Sequence, residues 1–120
     1  MHELSKLGLL GEQLALKHLQ SLGYELLDRN FRSRRGEIDL IVTKNRAITF
    51  VEVKTRRGSN TGHPFEAITK AKMASIRGTA VEWLAAKQMN ALAVSFAAVA
   101  VSLPQIVGAK PVIEFLENVF

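Results

Sequence analysis

The chain has 120 residues, with 16 Lys and Arg against 11 Asp and Glu and a net charge of +5. That length suits one domain with a working core, and 48% apolar residues exclude a disordered basic tail. The absence of cysteine excludes structural disulfides, thiolate zinc sites, iron–sulfur clusters and a catalytic thiol.

Residues 4–22 predict an amphipathic helix with Gly23 in the C-terminal cap position. Glu3, Lys6, Gln13, Lys17, Gln20 and Ser21 gather on one side, while Glu12 falls on the other, one turn from Leu16. A carboxylate facing inward needs a metal, a cation or a donor; alternatively it lies at the edge of the stripe and its head reaches water. The first ten residues carry Glu3 and Lys6 and no apolar leader, so the expected address is cytoplasmic.

Residues 24–31 predict a first strand, and Arg32-Ser33-Arg34-Arg35-Gly36 a basic turn. Residues 37–43 and 47–55 are two well-marked strands, the second rich in β-branched residues, with a tight turn at Lys44-Asn45-Arg46. Residues 56–64, with two Gly, one Asn and one Pro, predict a mobile loop. A long helix is expected over 65–88, with Ile68, Met73, Ile76, Ala80, Trp83 and Leu84 on one face. The uncharged apolar run 91–103 has 13 residues, short for a membrane span, and its residues 91–102 predict a fully buried strand. A short last strand is expected over 112–116.

Charge is unevenly spread. Residues 29–77 hold twelve Lys and Arg and four Asp and Glu, a net of +8, and the remainder carries −3. Such a basic middle suits phosphates, although solvation of two loops by Arg32, Arg34, Arg35, Arg56 and Arg57 accounts for it equally well.

Asp39, Glu52 and Lys54 carry the chemical reading. Residues two apart on a strand share a face, so Glu52 and Lys54 project together. A two-residue turn at Asn45-Arg46 sets Asp39 opposite Glu52 and Glu37 opposite Lys54, with Cβ atoms about 5 Å apart across the pair; a three-residue turn would put them on opposite faces. Two carboxylates among Leu40, Ile41, Val51 and Val53 repel unless something positive lies between them. Hard oxygen donors suit magnesium (Mg²⁺), or Mn²⁺ as its substitute, held by Asp39, Glu52 and the carbonyl of Val53. Lys54 would position or activate a water, or stabilise charge on phosphorus, and Glu12 adds a further acid. The competing reading is a set of ion pairs on an exposed sheet face. His2, His18 and His63 lack metal-ligand spacing.

Gly11-Glu12-x-x-Ala15, Arg29-Asn30, Gly36-Glu37-Ile38-Asp39-Leu40-Ile41 and Phe50-Val51-Glu52-Val53-Lys54 together resemble the YraN-like family. These small bacterial proteins belong to the restriction-endonuclease-like PD-(D/E)xK superfamily and are close in pattern to archaeal Holliday junction resolvases. The resemblance covers nearly the whole chain. It implies Asp39 as the motif aspartate, Glu52 and Lys54 as the E-x-K pair, and Glu12 as the first-helix glutamate. Lys72, after Ala67-Ile68-Thr69, looks like the family's second-helix lysine; otherwise it snorkels from the first turn. Where the family carries Arg-Phe-Asp before its last long strand, this chain has Ser95-Phe96-Ala97.

The expectation is one α/β domain over residues 1–120 with an αβββαβ core, a central mixed sheet flanked by helices. Its expected activity is Mg²⁺-dependent DNA hydrolysis, with branched structures as candidate substrates. Arg34, Arg35, Arg56, Arg57, Lys70 and Lys72 would hold phosphates without reading sequence. A two-fold homodimer is expected if symmetric junctions are cut, and no membrane partner is expected. The alternative is a non-catalytic nucleic-acid-binding module on the same fold.

Overall fold

The computed structural model describes residues 5–58, 68–89 and 93–118. Helix α1 (Lys6–Ser21) starts where the Ser5 hydroxyl accepts the Gly8 amide at 3.0 Å, satisfying a donor the first turn leaves free. It ends at Leu22, and Gly23 then turns the chain at φ +98°, a region that favours glycine.

Strands β1 (Glu25–Ser33), β2 (Gly36–Lys44) and β3 (Ala47–Arg57) form an antiparallel meander. Asn45 and Arg46 both take positive φ, 53° and 67°, as a two-residue turn of the mirror-image type requires. Helix α2 (Lys70–Lys87) then crosses to β4 (Ala93–Leu103), which runs parallel to β3, and β5 (Val112–Glu117) closes the sheet antiparallel. The spatial order is β1-β2-β3-β4-β5, so the αβββαβ order is present with β5 added at the edge.

The mixed sheet separates two cores. Ala15 and Leu19 of α1 pack on Leu40, Val42, Val51, Ala97, Val99 and Val101. On the other face, Ile76, Ala80 and Trp83 of α2 pack on Ile38, Ile41, Ile48 and Phe50, with the Phe50 and Trp83 rings edge to face at 5.8 Å. Among the described residues, no helix is long and apolar enough to cross a membrane.

Several boundaries differ from the sequence reading. The turn expected over Arg32–Gly36 shrinks to Arg34 and Arg35, because Arg32 and Ser33 pair with Glu37 and Gly36. Arg56 and Arg57 are strand residues instead of loop, since the parallel partner β4 supplies ladder bonds opposite Ser102 and Leu103. Helix α2 begins at Lys70, five residues later than expected, with Thr69 extended as its N-cap accepting the Lys72 amide. The strand expected to be fully buried is only partly so. Val94 is 42% exposed, and among the described residues β5 pairs only with Ala97–Ser102, short of the first four residues of β4. Residues 59–67 of the expected loop and helix start, and 91–92 of the expected strand, lie outside the described residues.

Candidate functional site

The site is a notch where β2 and β3 part. Their ladder runs from Lys44–Ala47, as the two-residue turn requires, to Leu40–Val51. At the next position Asp39 meets β3 with its side chain: Oδ2 accepts the Val53 amide at 2.7 Å. A carboxylate thus takes the place of a backbone acceptor. The switch also breaks the two-residue period. Ile38 packs under α2 and Leu40 under α1, whereas a regular strand would turn both to one face.

Glu52 projects beside Asp39 from the face of β3 that Ile48 and Phe50 present to α2, and the two carboxyls lie close enough to act on one another. Asp39 is 9% and Glu52 4% exposed. Burial above all, then the Glu52 hydrogen bond and charge, pushes the Asp39 carboxyl up to about 9, while the Val53 amide pulls it back. Asp39 therefore holds a proton at neutral pH.

Two cations face Glu52. Lys54 Nζ is 3.8 Å from Oε2, and Lys72 Nζ, from the first turn of α2, is 3.2 Å from the same oxygen. The Lys72 contact lacks hydrogen-bond alignment, so among the described residues Glu52 Oε2 is buried without a hydrogen-bond partner. Such an atom ordinarily has one.

Glu12 reaches the notch from α1 and is 3% exposed. Both its oxygens accept from Asn30 Nδ2 at 3.0 Å, and Arg29 stands 4.0 Å away. Burial raises the Glu12 carboxyl above the usual range, and Asn30 and Arg29 oppose that. Asn30 stands in one of the sequence blocks, but sequence reasoning assigns it no role. It sits on β1 across from the Asp39 segment of β2 and has φ 52°, a conformation that asparagine tolerates better than most residues. Its place in the Arg29-Asn30 block and an Asn inside a predicted strand are the signals that point to it.

The remaining candidates occupy the same end of the sheet. The start of β2, the end of β3 and the start of α2 coincide there, because β2 runs antiparallel to β3 and Lys72 reaches Glu52. Arg34 and Arg35 form the exposed β1–β2 tip, where Arg35 pairs with Glu82 at 3.6 Å and its carbonyl accepts the Ser75 hydroxyl. Arg56 Nε donates to Ser102 Oγ at 3.2 Å, Arg57 is exposed at the end of β3, and Lys70 opens α2. Glu37 pairs with Arg32 at 3.0 Å. His18 lies in the last turn of α1, at the far end; His2 and His63 lie outside the described residues.

Among the described residues, no group of three or more His, Cys, Asp or Glu side chains is placed to hold a metal. A cation would therefore rest on the Asp39 and Glu52 carboxyls and a backbone oxygen. The donors fit a hard divalent ion: both are oxygen acids, and one buried oxygen has no hydrogen-bond partner. An extended residue turns its N–H and C=O to the same strand edge, so the Val53 carbonyl shares the notch edge with the amide that Asp39 accepts.

The sequence profile of a family described as "Uncharacterised protein family UPF0102" matches residues 11–101. The chain belongs to that family. UPF0102 is the YraN-like family that the sequence blocks resemble. A UPF0102 protein of Rhodococcus opacus (strain B4) is 45% identical over 114 residues, 95% of each chain. One of Geotalea daltonii is 40% identical over 114 residues, 95% of this chain and 88% of its own. One of Syntrophomonas wolfei is 47% identical over 79 residues, 66% of this chain and 69% of its own.

Ser95 and Ala97 lie outside the notch, Ser95 half-buried and Ala97 in the core. Ser95 Oγ bonds Thr49 Oγ1 at 3.0 Å, and Ala97, fully buried, faces α1 opposite Val51. The acids at the notch are supplied by other strands and by α1.

Proposed function

We propose that the chain is a Mg²⁺-dependent DNA endonuclease. The observation that carries this reading is the buried Asp39–Glu52 pair: two carboxyls close enough to act on one another, one oxygen of Glu52 with no hydrogen-bond partner among the described residues, and two lysines facing it. Buried acids amid a basic surface weaken phosphate attraction unless a cation joins them. Asp39, Glu52 and the Val53 carbonyl would hold the ion. Bound there, Mg²⁺ would polarise the phosphodiester and lower the pKa of a water.

The protein's own groups account for the rest. Asp39 must release its proton before it can act as a ligand. Lys54 stands beside Glu52 on the same face, able to orient the attacking water or to meet charge growing on phosphorus. Glu12, fixed by Asn30, adds an oriented acid on the α1 side. Arg34, Arg35, Arg56, Arg57 and Lys70 would hold phosphates along the same end and carry no base-reading geometry. The likeness to junction resolvases extends the proposal to branched DNA.

One observation favours a second reading, a nucleic-acid-binding module without catalysis: Lys54 and Lys72 already offset the Glu52 charge without a metal. Cleavage of junction and duplex DNA with Mg²⁺, beside Mn²⁺ calorimetry, separates the two. The nuclease reading expects Mn²⁺ to bind the wild type and not Glu52→Ala, and expects Asp39→Asn and Lys54→Ala to stop cleavage. An inert wild type whose DNA affinity is unaltered in both variants supports the binding module instead.

A further inference from the structure

The loop between β4 and β5 leaves the sheet at the end that carries the notch and the arginines, since Leu103 pairs with Arg57. At its tip Ile106 is 76% and Val107 101% exposed. Single exposed apolar residues are ordinary; here two adjoin at the apex of a built turn. The Ala109 amide donates to the Ile106 carbonyl at 3.2 Å, and Gly108 has φ +87°, the geometry of a type II turn with Val107 in its second position. Pro104 and Pro111 bracket the turn and restrict its alternatives. The Gly58 amide donates to the Leu103 carbonyl at 2.8 Å, which ties the loop's base to the end of β3. The protein therefore presents two β-branched side chains at a fixed point in solvent, with the exposed Lys110 in the same loop and the exposed Arg57 on β3 opposite the loop's base at Leu103.

That combination fits a partner with both phosphates and flat apolar faces. A second copy of the chain suits it poorly, because a stable dimer buries about 800 Å² per partner and two side chains supply only a small part of that. Apolar wedges, isoleucine among them, enter base steps in proteins that kink nucleic acid.

We propose that the Ile106–Val107 turn is a wedge that enters the base stack of bound DNA and favours substrates whose stacking is already interrupted, such as a junction or a flap. From the level of Glu52, paired with Ala98, to that of Arg57, paired with Leu103, is five residue steps, or about 17 Å. The wedge would thus act beyond the base of its loop, away from the cleaved phosphate. This rests on the nuclease reading for the place of the cut, and on DNA binding alone for the wedge.

The test uses the full chain, without divalent cation, on a four-way junction and a matched linear duplex carrying 2-aminopurine at successive steps. Wild type should raise the fluorescence at one step and prefer the junction. Ile106→Ser/Val107→Ser should lose the rise and about tenfold of the preference while keeping its salt slope, and Val107→Leu should retain both effects. Circular dichroism of the double variant should match wild type, since the turn is solvent-exposed; if it does not, Val107→Ser alone is read in the same way. Preference retained in the serine variant, or no fluorescence change in wild type, overturns the wedge. So does a wild-type dimer that the serine variant dissociates, which would make the turn a self-contact. Failure of wild type to bind any DNA at low salt overturns wedge and nuclease together. Unimpaired cleavage by Asp39→Asn removes the catalytic reading and leaves the wedge to stand on the binding data.

Discussion

The Asp39 carboxyl replaces a ladder acceptor for the Val53 amide, so it serves the fold before it serves any chemistry. Its proton makes stability depend on pH. An unfolded aspartate ionises near 3.9, whereas this one is pushed up to about 9. Between those values the folded chain binds more protons than the unfolded chain, so this contribution is fullest below the window and is lost as pH rises through it. Thermal melts in cation-free buffer should therefore show lower stability at about pH 8 than at about pH 5 from this group. Asp39→Asn keeps an acceptor for Val53 and a donor for Glu52 without the charge. It should flatten that dependence and gain on the order of 1–3 kcal/mol at the alkaline end. An identical pH response in variant and wild type would detach the effect from Asp39. Asn30 admits a similar dissection. Asn30→Ala removes the donor to both Glu12 oxygens and strains a positive φ, for about 2–4 kcal/mol in sum. Asn30→Gly loses only the donor and should melt between the other two. If alanine and glycine melt together, the backbone contribution is absent.

The elements are held in register by close approaches that a side chain would obstruct. Gly11 of α1 lies so near Thr55 of β3 that an added Cβ would collide with the Thr55 side chain, Oγ1 included. Alanine ordinarily improves a helix interior by about 1 kcal/mol over glycine. Here overpacking should reverse the sign, so that Gly11→Ala destabilises by about 1–3 kcal/mol in denaturant melts. Because Glu12 is the next residue, the shift should also loosen its bond to Asn30. A neutral or stabilising result would mean that α1 can slide without cost. At the other helix, Gly36 approaches Ser75 and Gly78 approaches Arg35, so the hairpin tip that bears Arg34 and Arg35 is seated on α2 by two small residues. Trp83 Nε1 donates to Asp28 Oδ2 at 2.9 Å, which anchors the far half of α2 to β1 beside its bulge.

Across the whole molecule, basic residues from separate elements meet at one end. Antiparallel β2 and β3, parallel β4 and the start of α2 bring Arg34, Arg35, Arg56, Arg57, Lys70 and Lys72 to the end that holds the buried acids. Segments far apart in sequence thus build one positive surface of the kind that steers polyanions. DNA affinity should fall steeply with salt. Replacing Arg34 and Arg57 by alanine should lower the slope of log K against log salt by about 0.9 for each phosphate no longer neutralised. Filter binding or anisotropy across a salt series reads this directly; an unchanged slope would place the phosphates elsewhere.

Local chemistry suffices for the order of elements, the two-residue turn at Asn45-Arg46 and the family, which rest on hydrophobic period, positive φ and contiguous motif blocks. It also puts Glu12 on the buried side of α1, since helical phase follows from spacing alone. What the linear chain could not contain is whatever depends on a neighbour brought in from afar. The extension of β3 through Arg57 needed the parallel strand β4 to satisfy its backbone. The shift of Ile38 and Leu40 to opposite cores needed Asp39 to bond Val53 across a gap between strands. Lys72 over Glu52 and Asn30 under Glu12 join residues 20 and 18 positions apart in sequence, set by how the helices lie on the sheet. Local propensities act over a few residues, and the charge balance of a buried site is decided by the packing that closes around it.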